Sequence, residues 1–303
     1  MKQAIFTILL FSVIGFVSCK KNQVDIDIKQ YDEQQIQDYI KTNGLTGMQR
    51  DLTGGDTSGI YYKVILPGSG QFEYTDTLSS VYTIKTFDGL YNSLDTTVNH
   101  YQGFVGHIQS SGLPLGLQLI VKNVLKKGGS VRILIPSRLA YGIKGSGSGS
   151  SSVTNARIAG NQCLDYYIHS IVDQKAYDDK LLADYLAAKS LTGYQKTTSG
   201  IYYKVLTAGS GTMPITNDNV VYLYYTGLLL NGTIFDAYNI AGTGTNFDVP
   251  NVIPGLQEML KKFTTGTTVS TFIPSRLAYA RSATGAIPAN SNIQFDFSIV
   301  SAQ

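Results

Sequence analysis

The sequence predicts an α+β architecture used twice: two domains, each an antiparallel sheet wrapped around one amphipathic helix. Three observations lead there. Long blocks of letters recur in the same order, roughly 140 residues apart. Within each copy, short runs rich in β-branched and aromatic residues are punctuated by Gly, Asn and Asp. One apolar stripe at helical spacing interrupts each set of runs.

The duplication is explicit. Ser58-Gly-Ile-Tyr-Tyr-Lys-Val64 recurs as Ser199-Gly-Ile-Tyr-Tyr-Lys-Val205, and Gly-Ser-Gly follows both at 68–70 and 209–211. Asp38-Tyr39-Ile40 with Leu45-Thr46-Gly47 matches Asp184-Tyr185-Leu186 with Leu191-Thr192-Gly193. Ile135 to Tyr141 is repeated letter for letter at Ile273 to Tyr279. A unit of that length is too long for a solenoid repeat, so each copy should be a domain.

Each unit opens with a polar helix-like stretch. Leu181, Leu182, Tyr185 and Leu186 form a stripe in the second, and Ile36, Tyr39 and Ile40 a thinner one in the first, stopped by Asn43-Gly44. These read as spacers or caps, with a dimerisation helix as the alternative. Strands are expected at 60–66 and 201–206, 81–87 and 220–228, 131–135 and 267–273, and 163–172 and 293–300. The second amphipathic helix opens at Pro254, a good first helical residue. Leu256, Met259, Leu260 and Phe263 make its apolar face, Lys261 and Lys262 suit its C-terminal end, and Gly266 closes it. Leu117, Ile120, Val121, Val124 and Leu125 repeat the stripe in the first unit. The Gly/Ser tract Gly145 to Ser152 is expected to be a mobile loop. Gly242-Thr-Gly244 lacks the lysine of a phosphate loop and reads as a hairpin turn.

Composition narrows the function. With 24 basic and 21 acidic residues, the chain has no electrostatic footprint for nucleic acid. Charged residues are only 15% of the 303, and 21 tyrosines stand out, as in extracytoplasmic β-rich domains. Lys2 followed by the 14-residue, largely apolar run Ala4 to Val17, ending at Phe16-Val17-Ser18-Cys19, is similar to a bacterial lipoprotein leader. Cys19 is the expected lipid attachment point, and an ordinary signal peptide with a chance cysteine is the alternative. Lipidation would leave Cys163 without a disulfide partner, and Cys163 reads as a small buried hydrophobe. His100, His107 and His169 show no metal-ligand spacing and read as surface or loop residues, so no metal and no cofactor are expected.

The second unit carries Tyr224-Tyr225-Thr226-Gly227, Asn231 to Asp236, Val252-Ile253-Pro254-Gly255-Leu256, the Ile273 to Tyr279 block, Ile287-Pro288 and Phe295-Asp296-Phe297. In that order these resemble the FKBP family of peptidyl-prolyl cis-trans isomerases. The resemblance implies an FKBP-like domain, and the repeat extends it to both units. It also implies an aromatic-walled pocket. Tyr225, Phe235, Phe247 and Phe295 would be walls, Val252 and Ile253 one side, Leu256 the floor, Tyr279 a rim hydroxyl and Asp236 the polar group. The backbone N–H of Ile287 would hold a substrate carbonyl. The family commonly has Trp at the floor, and this chain has none.

In the first unit Val81 to Gly89 lacks Tyr-Thr-Gly, and Leu94-Asp95 is the nearest counterpart of Phe235-Asp236. Leu113-Pro114 stands for Val252-Ile253, and Ile158 is followed by Ala159 rather than Pro. The expected organisation is a leader over 1–18, a tether and short helix over 19–57, a degenerate FKBP-like domain over 58–172, a linker helix over 173–198 and an isomerase domain over 199–303. The implied partners are proline-containing polypeptides, a membrane reached through the N-terminal lipid, and FK-type macrolides weakly. The implied place is the cell envelope at the outer membrane. A non-catalytic peptide-binding or adhesion-type lipoprotein on the same fold is the alternative.

Overall fold

The computed structural model describes residues 27–53, 57–239 and 244–303. Cys19 with the leader, and Gly242-Thr243 of the expected hairpin turn, lie outside the described residues.

Two seven-stranded antiparallel sheets share one strand order. The first comprises β1 (Gln49–Arg50), β2 (Tyr61–Leu66), β3 (Thr77–Thr86), β4 (Asn92–Ser93), β5 (His100–Phe104), β6 (Ser130–Ile135) and β7 (Leu164–Ser170). They run β1-β2-β6-β7-β3-β4, with β5 also paired to β3. The second comprises β8 (Gln195–Lys196), β9 (Tyr202–Thr207), β10 (Val220–Leu229), β11 (Ile234–Tyr238), β12 (Thr245–Asp248), β13 (Thr268–Ile273) and β14 (Ile293–Ala302). Their order is β8-β9-β13-β14-β10-β11, with β12 on β10. Both sheets thus start upstream of 58 and 199, with a two-residue edge strand.

The strand pattern follows from residue alternation. In β14, Ile293, Phe295, Phe297 and Ile299 are buried and their neighbours are not. One face of each sheet is covered by an amphipathic helix, α2 (Leu115–Asn123) or α4 (Pro254–Lys262). Gly255 lets α4 approach: a Cβ there would lie 2.4 Å from Ile273 Cγ2, and at Gly116 of α2 the matching distance to Ile135 Cγ2 is 2.5 Å. No helix of the described residues is long and apolar enough to cross a membrane.

The polar helices α1 (Ile28–Thr42) and α3 (Gln174–Ala188) cap the opposite faces. Ile36 and Tyr39 bury against Tyr61, Leu134 and Cys163, while Leu182 and Leu186 bury against Leu230 and Phe272. The apolar stripes are therefore spent inside the chain. Cys163 is buried, and desolvation pushes its thiol up to about 12.

The repeated letters hold these caps on. Asp32 of α1 is fully buried and pairs with Arg138 at 3.2 Å. Arg138 also donates to Ser58 O at 2.6 Å. In the second unit Asp178 of α3 accepts from Ser275 Oγ at 2.8 Å and faces Arg276 at 3.8 Å, and Arg276 donates to Ser199 O. Gly59 and Gly200 sit at positive φ with the guanidinium where a Cβ would point, at 2.9 and 2.8 Å from its Nη2. The Ser-Gly block, the Pro-Ser-Arg block and the aspartate of Tyr31-Asp32 or Tyr177-Asp178 are thus one network in each unit.

Two expectations are corrected. Gly145 to Ser152 is not wholly loop: Ser146–Gly147 pairs with Arg157–Ile158 as a ribbon. Backbone hydrogen bonds need no side chains, and a Cβ on Gly145 would stand 2.1 Å from Ile158 O. His100 is not a free surface residue, because its ring lies between Thr96 O and Ala289 O.

Candidate active site

The second unit's sheet gathers the expected aromatics. Alternation along β10 sends Val221, Leu223, Tyr225 and Gly227 inward. Tyr225 stacks on Phe295, centroids 5.2 Å apart and planes 11° off parallel, and meets Phe247 edge-on at 5.4 Å. Phe235, on β11, lies over Gly227, and Tyr279 stands at 90° to its ring with centroids 6.3 Å apart. Leu256 of α4 is buried in the same cluster, with Val252 and Ile253 packed at its side.

Polar groups are few. Tyr225 Oη donates to Asp236 Oδ2 at 2.8 Å, so the carboxylate has one fixed oxygen at the edge of the cage. Burial, then the hydrogen bond and charge of Asp236, pushes the Tyr225 phenol far above its usual range. Burial and the Asp236 charge also raise Tyr279. Both phenols are therefore protonated donors at neutral pH. Among the described residues no cluster could hold a metal ion.

Ile287 is buried in the flap between Tyr279 and β14, but its N–H is engaged. It donates to Thr284 O at 2.9 Å, and Thr284 N–H returns the bond to Ile287 O at 3.0 Å. Gly285 at φ +57° makes that tight turn. The N–H is available to a ligand only when the turn opens, since a short loop satisfies its own backbone first. Gln257 was not legible as a site residue. Its side-chain amide donates to Val252 O at 2.8 Å and Pro250 O at 3.1 Å, pinning the loop that carries Val252 and Ile253. A glutamine three residues past a helix-starting proline gives no sequence signal of that role.

In the first unit the frame is closer to the second than the letters suggest. Leu164 pairs with Ile135 as Ile293 pairs with Ile273, which puts Tyr166 at the place of Phe295 and Tyr82 at that of Tyr225. Tyr141 matches Tyr279 through the identical block. The Leu94-Asp95 assignment is corrected by register. Ser93 opposes Ile84, just as Asp236 opposes Gly227, and Leu94 points largely to solvent. Ile84 stands where Gly227 makes room for Phe235, so a ring cannot lie there. A cavity of about 210 Å³ remains, lined by Tyr82, Tyr91, Tyr141 and Tyr166 and by the ribbon.

An antiparallel sheet on one helix thus carries an aromatic cluster with one carboxylate and two phenols at its edge. The sequence model of the FKBP-type peptidyl-prolyl cis-trans isomerases matches residues 211–300. Outer membrane protein MIP of Legionella longbeachae is 39% identical over 132 residues, which cover 43% of this chain and 56% of that protein. The FKBP-type peptidyl-prolyl cis-trans isomerase FkpA of Aeromonas hydrophila is 35% identical over 145 residues, 46% of this chain and 54% of that one. The chain thus spans about half the length of these curated relatives. The crystal structure of FkpA from Escherichia coli overlays with a TM-score of 0.38 at 29% identity, over 43% of this chain and 61% of that one.

Proposed function

We propose that the chain is a peptidyl-prolyl cis-trans isomerase, with its activity in the C-terminal pocket, assisting the folding of exported proteins at the cell envelope. The observation that carries this is the Tyr225–Asp236 pair set into the cage of Phe235, Phe247, Phe295 and Tyr279. The names of the relatives support it, one being an outer membrane protein and the other an FKBP-type isomerase.

The reaction needs no covalent chemistry. Amide resonance sets a barrier of about 18–20 kcal/mol, and X–Pro bonds cross it slowly. The twisted amide has lost its resonance dipole, so an apolar cage favours it over the planar ground state. The rings exclude water and seat the proline. Asp236, oriented by Tyr225, faces the polar edge of the substrate. Tyr279 donates from the rim, and the Ile287 N–H joins once the Thr284 turn opens.

The first unit, with Ile84 and Ser93 at the two deciding places, does not isomerise. Leu256 in place of an aromatic floor leaves macrolide binding weak. A lipid on Cys19 would anchor the chain. The test is a proline-peptide isomerisation assay on the whole chain and its Phe235→Ala variant. Activity that disappears in a folded variant supports the proposal. Activity of the unmodified chain at background level hands the case to a peptide-binding lipoprotein, the reading favoured by the rebuilt first pocket.

A further inference from the structure

Among the described residues the first unit reaches the flap of the second. Asn290, buried and at φ +58°, closes the flap base through its own N–H to Ala280 O at 2.6 Å. Its side-chain amide then crosses to the first unit, donating to Ser79 Oγ at 3.1 Å and Gln102 Oε1 at 2.9 Å. The neighbouring Ala289 carbonyl lies 2.6 Å from His100 Nδ1. Val98, beside His100, packs against the second unit's hydrophobic cluster, the one that contains Ile287.

The contacting turn is built in advance. Asp95 Oδ1 accepts from Thr97 N at 2.8 Å and Thr97 Oγ1 at 2.7 Å, and Asn99 Nδ2 donates to Ser93 O at 3.0 Å. Asp95 therefore shapes the turn that presents Val98 and His100, in place of the pocket role its sequence position suggested. A second tie runs through α3: Ser79 Oγ donates to Gln174 Oε1 at 3.3 Å, and Gln174 Nε2 donates to Asp178 Oδ1 at 2.9 Å. Asp178 holds Ser275, at the start of the block that ends in Tyr279.

We propose that the first unit is a positioning element for the second unit's flap: Val98, His100, Gln102 and Ser79 grip Ala289 and Asn290 and so set where Ile287 and Pro288 stand above the cage. This rests on the isomerase reading for its consequence, but not for its geometry. A flap anchored at both ends loses less freedom when substrate orders it, so the grip should appear mainly in substrate binding. The residues concerned touch no substrate and act only through the flap.

The test uses the whole chain with Val98→Asp, which puts a charge into the contact, and with Ser79→Ala/Gln102→Ala, which removes both acceptors of Asn290. Hydrogen exchange is followed for peptides covering 280–291, with 202–207 and 293–300 as internal references. Flap exchange should rise about tenfold in Val98→Asp, and several-fold in the double variant, while the references hold. KM for a prolyl peptide should rise several-fold with kcat changed less. Unchanged flap exchange in both variants, with the melting temperature retained, overturns the proposal. If Val98→Asp fails to fold, the double variant decides alone. A chain with no isomerase activity but a released flap sinks the functional reading and leaves the grip standing.

Discussion

Gly227 and Phe235 are in mutual contact: a Cβ added to Gly227 would fall 2.5 Å from both Cε2 and Cζ of the Phe235 ring. The missing side chain on β10 is the space in which the Phe235 ring stands. Gly227→Ala is therefore expected to push the ring out of the cage. Overpacking costs about 1–3 kcal/mol of stability, and the isomerisation rate should fall by more than that loss accounts for. Parallel urea melts and kcat/KM measurements check it. Unchanged kcat/KM would mean that the ring at 235 is not a working wall.

Catalysis by exclusion of water predicts an order of effects within the site. Phe235→Ala should reduce kcat/KM most, then Asp236→Ala, then Tyr279→Phe. The phenylalanine supplies wall area. The aspartate supplies a contact that solvent partly replaces, because it sits at the exposed edge. The phenol loses one hydrogen bond, about 0.5–1.5 kcal/mol. Circular dichroism must first show that Phe235→Ala folds, since truncating even a half-buried ring removes packing from the cluster. A larger loss from Tyr279→Phe than from Phe235→Ala would point to hydrogen bonding as the main source of rate.

Asp178 is fully buried beneath Arg276 and Ser275. Its removal leaves the Ser275 hydroxyl without its acceptor, while Arg276 keeps Ser199 O, so Asp178→Ala should cost about 1–3 kcal/mol. Denaturant unfolding of the whole chain measures this, and Asp32→Ala should behave alike through Arg138 in the first unit.

The contact between the units should weaken in mild acid. Burial holds His100 below its ordinary 6.5, outweighing the carbonyls of Ala289 and Thr96 and the charges of Asp178 and Asp95 that raise it. The docked state thus binds a proton less readily than the undocked state. Docking is complete above the ordinary value and is lost as pH falls from there through the lowered one. Flap hydrogen exchange, corrected for intrinsic rates, should be faster at about pH 5.5 than at about pH 7.5. His100→Gln should flatten that difference. A wild-type difference that persists in His100→Gln would exclude this residue as its source.

Cys19 should carry lipid, on the strength of the apolar run that ends at Ser18-Cys19. Mass spectrometry of the mature N-terminus decides it, with an unmodified cysteine as the contrary result.

Period, composition and repetition are local properties, and they determined much of this protein from the letters. The eight main strands, both amphipathic helices, the doubling of the unit and the aromatics that cluster in the second unit can all be read without coordinates. Residue type at alternating or helical spacing dictates which face is buried. What the letters left open are pairings between segments far apart in the chain. The counterpart of Asp236 is Ser93 rather than Asp95 because ladder register, not order along an insertion, decides what stands opposite Ile84. The identical Pro-Ser-Arg blocks are explained only when Asp32 and Asp178 arrive from helices a hundred residues upstream. His100 and Asn290, 190 positions apart, belong to one contact because two folded surfaces meet there. Such contacts are set by the packing of whole units, and no window of sequence contains both sides of them.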